Sequence, residues 1–92
     1  MADIIGVGLK VKTLLTTNDD ANTLTTGVYA VGNALMPQNY VSEAQNSIII
    51  VLQGAGTHKY QLILSTYVNG IWYRSTLTDS SWKEWKQVSL IE

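Results

Sequence analysis

In VGLKVKTLL, residues 7 to 15, Val7, Leu9 and Val11 alternate with Gly8, Lys10 and Lys12. A period of two is the signature of a strand with one buried face, so this segment is expected to be extended. TTNDDANTLTTG then gathers Thr, Asn, Asp and Gly, which favour turns by bonding their own backbone, and predicts a loop with one helical turn capped by Asp19 or Asp20. GVYAVG, residues 27 to 32, is a short strand. The connection NALMPQNYVSEAQN follows with the only proline, Pro37, and Leu35, Met36 and Tyr40 suggest that its own side chains pack it down.

The run Ile48 to Leu52 in SIIIVLQ is too short for a lone helix and rich in β-branched residues, and it reads as a strand apolar on both faces. HKYQLILSTYV and IWYRSTL flank Asn69-Gly70, a strong hairpin signal. The prediction is an antiparallel meander at roughly 47–53, 58–68 and 71–77. A two-residue turn would set Tyr67 opposite Trp72 and Ser65 opposite Arg74. Tyr60, Leu62, Leu64, Val68, Ile71, Tyr73 and Leu77 then share one face, and Gln61, Ile63, Tyr67, Trp72, Arg74 and Thr76 the other. Neither face is properly polar, so both need cover. The first 46 residues can cover one; the other falls to the tail from Trp82 onward or to another copy of the chain. The fold class expected is mainly β: a small antiparallel sheet with long N-terminal loops and at most one or two short helical turns.

Length and composition narrow the choices. A chain of 92 residues makes one small domain, which buries only about 60–65% of its unfolded surface and is often helped by disulfides, metals or a partner subunit. No cysteine is present and His58 is the single histidine, which leaves few ligands for a transition metal and makes a partner subunit the natural helper. Six basic residues against seven acidic ones, without a run of like charge, argue against nucleic acid as a partner. Lys10 and Lys12 break the apolar start, which reads as neither a signal peptide nor a membrane span.

Candidate chemistry is sparse. His58 lies beside a glycine-rich turn, and nothing brings Asp79, Ser80 or Ser81 to it as a triad would require. Asp79 and Glu84 read as a turn residue and a solvated residue. NDDAN lacks the glycine and distal glutamate of a calcium loop, and Gly54 and Gly56 lead into a strand rather than a phosphate-binding helix. No cofactor or metal is expected. The aromatic residues remain: Tyr67, Trp72 and Arg74, with Asn39, Tyr40 and His58 in nearby loops, are the candidate saccharide contacts, because flat rings stack on sugars while amides and hydroxyls bond them. Against this, a chain without phenylalanine must fill its core with its Trp and Tyr residues.

DANTLTTGVYAV, YQLIL, YRS and WKEW, taken in order, resemble the knob domain of pyocin and bacteriophage tail fibres. The matching positions are Asp20, Asn22, Thr23, Gly27, Tyr29, Gln61, Arg74, Trp82 and Trp85, with Thr26 where a proline is expected. The resemblance covers residues 20 to 88 and implies a division into an N-terminal extended segment, 1–19, derived from a stalk, and a knob-like domain, 20–92. It also implies a homotrimer in the tail fibre of a virion, non-enzymatic, contacting other fibre segments and attaching to bacterial surface polysaccharide without entering the membrane. Under it, Asp20, Asn22, Gly27, Tyr29, Gln61, Trp82 and Trp85 are structural, and receptor contacts fall in loops 33–46 and 54–58. A monomeric carbohydrate-binding module using exposed aromatics is the alternative, and a depolymerase fragment a more distant one.

Overall fold

The computed structural model describes residues 11–65, 70–78 and 80–88. Six strands form one sheet in sequence order: β1 (Val11–Leu14), β2 (Gly27–Val31), β3 (Ser47–Gln53), β4 (Lys59–Ser65), β5 (Gly70–Thr76) and β6 (Lys86–Gln87). β1 runs parallel to β2, and every later pair is antiparallel. The fold is therefore mainly β, with a single 3-10 turn, Ala21–Thr23, as the helical part among the described residues. Asp20 caps that turn, its side chain accepting from the Asn22 N–H at 2.9 Å. Of the extended segment expected at 7–15, residues 7 to 10 lie outside the described residues. The rest joins the sheet, and Leu15 is buried in the core, so the fold begins before residue 20.

The meander is present with a different register at its last hairpin. Ser65 pairs with Gly70, Ile63 with Trp72 and Gln61 with Arg74, so the connection is residues 66–69 rather than a two-residue Asn-Gly turn. Relative to the expected pairing, the partner of Ser65 moves from Arg74 to Gly70, a slip of four residues. Because side chains alternate with period two, an even slip leaves the described residues of both strands on their expected faces, while Tyr67 and Val68 lie outside the described residues.

Call the face of Tyr29, Val31, Ile49, Val51, Ile63 and Trp72 the front. These side chains meet Leu15, Ala21, Leu24, Val41 and Ala44 from the segments before β2 and between β2 and β3, and the two sets make one core. The connection 32–46 is packed down as expected, with Pro37, Val41 and Ala44 buried and Met36 and Tyr40 against the core, although Leu35 is exposed.

The covering layer is irregular chain, whose backbone polar groups need partners, and the front face supplies them. Gln61 Nε2 donates to the Ala21 carbonyl at 2.6 Å, Ser65 Oγ to the Gln45 carbonyl at 2.8 Å and Ser47 Oγ to the Ala44 carbonyl at 2.7 Å. These three polar residues sit buried among apolar neighbours because each satisfies a loop.

The back face is more apolar, with Tyr60, Tyr73 and Ser75 its hydroxyl-bearing residues. Ile48, Ile50, Leu62, Leu64 and Ile71 are half-buried, while Leu52, Tyr60 and Tyr73 are 52, 48 and 46% exposed. The tail from Trp82 does not cover this face. Both tryptophans lie against Arg74 on the front, so the tail adds to the cover that the loops already give.

Candidate functional site

Two places stand out, a polar clasp on the front and the open apolar face behind it. The clasp begins with Gln61 and Arg74, register partners on β4 and β5 whose side chains share the front face. Arg74 Nε donates to Gln61 Oε1 at 2.8 Å, while Gln61 Nε2 is spent on Ala21. The guanidinium carbon lies 4.3 Å from the ring centroid of Trp82 and 4.3 Å from that of Trp85. Arginine suits this place because its flat, weakly hydrated cation stacks on aromatic faces while its edge makes hydrogen bonds.

Each indole is pinned from its far edge. Trp82 Nε1 donates to the Asn22 carbonyl at 2.9 Å and Trp85 Nε1 to the Asn39 carbonyl at 3.0 Å. Asn39 adopts a left-handed backbone (φ 59°), a conformation asparagine tolerates, and its Nδ2 donates to Asp20 Oδ1 at 2.8 Å. Tyr40 meets Trp85 edge to face at 6.2 Å and shares a 2.6 Å hydrogen bond with Ser47. An odd spacing would send Trp82 and Trp85 to opposite sides of a regular strand. Residues 81–85 are not a strand, and the irregular path lets both rings reach one arginine.

Electrostatics follow from this packing. Burial lowers the Arg74 pKa to about 10, partly offset by the negative charge of Asp20, so the group remains a cation at neutral pH. The Asp20 carboxyl is held below its ordinary value, first by the Asn39 amide and then by the Asn22 N–H. Desolvation raises the Tyr40 pKa to about 12 against the opposing bond to Ser47.

The candidate saccharide contacts are distributed as follows. Trp72 is 5% exposed and Arg74 6%, so neither offers a ring or a cation to a ligand in this conformation. Asn39 and Tyr40 belong to the clasp. His58 is exposed in the β3–β4 connection, where its backbone closes a turn with Ala55 and Gly54. Tyr67 lies outside the described residues, as does Asp79. Loops 33–46 and 54–58 leave β3 at opposite ends of its seven residues, roughly 20 Å apart. Of the positions carried by the resemblance, Asp20, Asn22, Gln61, Arg74, Trp82 and Trp85 converge on the clasp, while Gly27 and Tyr29 lie in β2, the Tyr29 hydroxyl donating to the Thr25 carbonyl at 2.8 Å.

The half-exposed aromatics are Tyr60 and Tyr73, which sequence reasoning placed together on one face but did not single out as contacts. With Ile50, Leu52, Leu62 and Ser75 they line an open depression of about 390 Å³ on the back of the sheet. Among the described residues no cluster of His, Cys, Asp and Glu side chains is arranged to hold a metal, and no helix is long and apolar enough to cross a membrane. The chain matches no family model, no curated protein and no solved structure.

Proposed function

We propose that this chain is a non-enzymatic attachment domain of a phage or phage-tail-like fibre, working as one of three copies that meet through the back of the sheet. The observation carrying this reading is the contrast between the two faces. The front has polar side chains that hold irregular loops in place, whereas the back is an apolar field of isoleucine, leucine and tyrosine with no side-chain hydrogen bond to a loop carbonyl like those of the front among the described residues. Such a field suits another apolar surface. The β2–β5 area is roughly 400 Å² in projection, within the range of patches on monomers that are often functional.

That area is modest beside the ~800 Å² per partner of a standard interface. The isolated domain should therefore associate weakly, and neighbouring fibre segments would hold the copies at high effective concentration. The clasp belongs to the fold in this reading, and attachment to surface polysaccharide uses groups outside it.

A carbohydrate platform is the second reading, favoured by the two half-exposed tyrosines beside one depression. Light scattering across a dilution series separates the two. Mass rising toward three chains with concentration supports the fibre reading; a single-chain mass throughout the millimolar range overturns it and leaves Tyr60 and Tyr73 free for a sugar.

A further inference from the structure

Two polar atoms enclosed in the clasp have no hydrogen-bond partner: Arg74 Nη2 and Asn22 Oδ1. The Arg74 side chain and the Asn22 backbone are otherwise tied down. Arg74 is 94% buried, its Nε bonded to Gln61 and its guanidinium carbon 4.3 Å from the ring centroids of both Trp82 and Trp85. A guanidinium donates only in its plane, so a partner for Nη2 must come from the edge. The Asn22 backbone is fixed by its N–H on Asp20 and its carbonyl on the Trp82 indole, which holds the root of the side chain in place. The same indole thus touches Arg74 with its face and Asn22 with its edge, and Gln61 joins Arg74 to Ala21, the neighbour of Asn22. The unsatisfied donor and the unsatisfied acceptor therefore belong to one small bonded ring of residues.

We infer that this ring encloses a binding site for one ordered water, which accepts from Arg74 Nη2 and donates to Asn22 Oδ1. The chemistry excludes the simpler ions. A cation would be repelled by the guanidinium, and an anion would face the Asn22 oxygen with Asp20 beyond it. A ligand is needed that accepts on one side and donates on the other, and water is the smallest that does both. Buried waters of this kind have two to four protein partners and are part of the fold they stabilise. The water also sets the orientation of the Asn22 amide, because the reversed orientation would aim a second donor at the arginine.

The test uses the full chain. In crystals diffracting to about 1.5 Å, a single peak is expected within hydrogen-bonding distance of both atoms. In solution, the Arg74 guanidinium protons should show a cross-relaxation peak to a long-lived water, and Asn22→Leu should abolish that peak while the amide spectrum of the sheet persists. Direct contact between Arg74 Nη2 and Asn22 Oδ1, an empty position in the density, or replacement of the peak by bromide on soaking would each overturn the proposal. If the leucine variant does not fold, the density and the native cross-peak decide alone.

Discussion

Gln61 and Arg74 face one another across β4 and β5, and the Arg74 Nε proton is held by Gln61 Oε1 at 2.8 Å while the other end of the same amide holds the Ala21 carbonyl. One buried side chain thus couples the cation of the clasp to the loop that covers the core. Gln61→Leu keeps the volume but leaves Arg74 Nε and the Ala21 oxygen unpaired inside the protein. Breaking a bond to a buried charge costs about 2–3 kcal/mol, and the change should be read from the midpoint of urea unfolding with an unchanged slope. A midpoint within error of the native one would mean that water reaches both groups freely.

The two tryptophans should behave as one unit. Trp82→Ala removes an indole from one side of Arg74 together with its bond to Asn22, and Trp85→Ala does the same for Asn39. Each ring is only partly buried, so a loss of roughly 2–4 kcal/mol is expected, toward the lower side of the range for core Trp→Ala changes. Because they share one cation, the double variant should lose less than the sum of the singles, by more than ~0.5 kcal/mol. Strict additivity in a thermal or chemical unfolding cycle would show that each indole packs independently of the arginine.

Gly70 supplies a different test, one of space. A Cβ built there would lie 2.3 Å from the ring of Trp72, two residues along the same strand and itself buried. The ring cannot swing away without leaving the core. Gly70→Ala should therefore destabilise by about 1–3 kcal/mol, as overpacking does, even though alanine normally lowers the entropy of the unfolded chain. A stabilised variant would place the Trp72 indole elsewhere.

The clasp should also leave marks at both ends of the pH scale. Asp20 has a folded pKa below its unfolded value, so the folded state binds fewer protons near that value. Its contribution is present above about pH 4 and is lost as pH falls through the folded pKa. Asp20→Asn, which can still cap the turn, should flatten that acid slope. Tyr40 works in the opposite sense. Its pKa is raised from 10 to about 12, so its contribution is complete below pH 10 and is lost as pH rises through 12. Absorbance of ionising tyrosine should include a late component that Tyr40→Phe removes; a late end of the curve unchanged in the variant would contradict the burial of Tyr40.

The sequence made the faces of the sheet legible but not the bonds across it. Alternation in KYQLILS and GIWYRST assigns Gln61, Ile63, Trp72 and Arg74 to one side, and that survived the four-residue slip because parity is all that a face requires. The slip hid the Gln61–Arg74 bond, since a two-residue turn puts Ser65 rather than Gln61 opposite Arg74. Which face the loops would choose was readable in principle. Gln61, Ser65, Arg74 and Thr76 give one face hydrogen-bonding groups, and loops need those, but both faces looked merely apolar until the loop carbonyls were seen to use them. Convergence of Trp82 and Trp85 on one cation depends on an irregular path between them, for which spacing alone gives no rule.

The open face yields the last prediction. Leu52 and Tyr73 are each about half exposed, so Leu52→Lys and Tyr73→Lys can turn their charges to water in a single chain and should change its stability by less than about 1 kcal/mol. In a contact between copies the same ammonium groups would have to be desolvated against leucine and tyrosine, or held apart from their own counterparts. The double variant should therefore stay monomeric at concentrations where the native chain associates, and its melting temperature should stop depending on concentration. Sedimentation and thermal scans over a hundredfold dilution measure both. Undiminished association in the double variant would move the contact away from β3 and β5, toward another surface such as exposed Leu14 and Leu35.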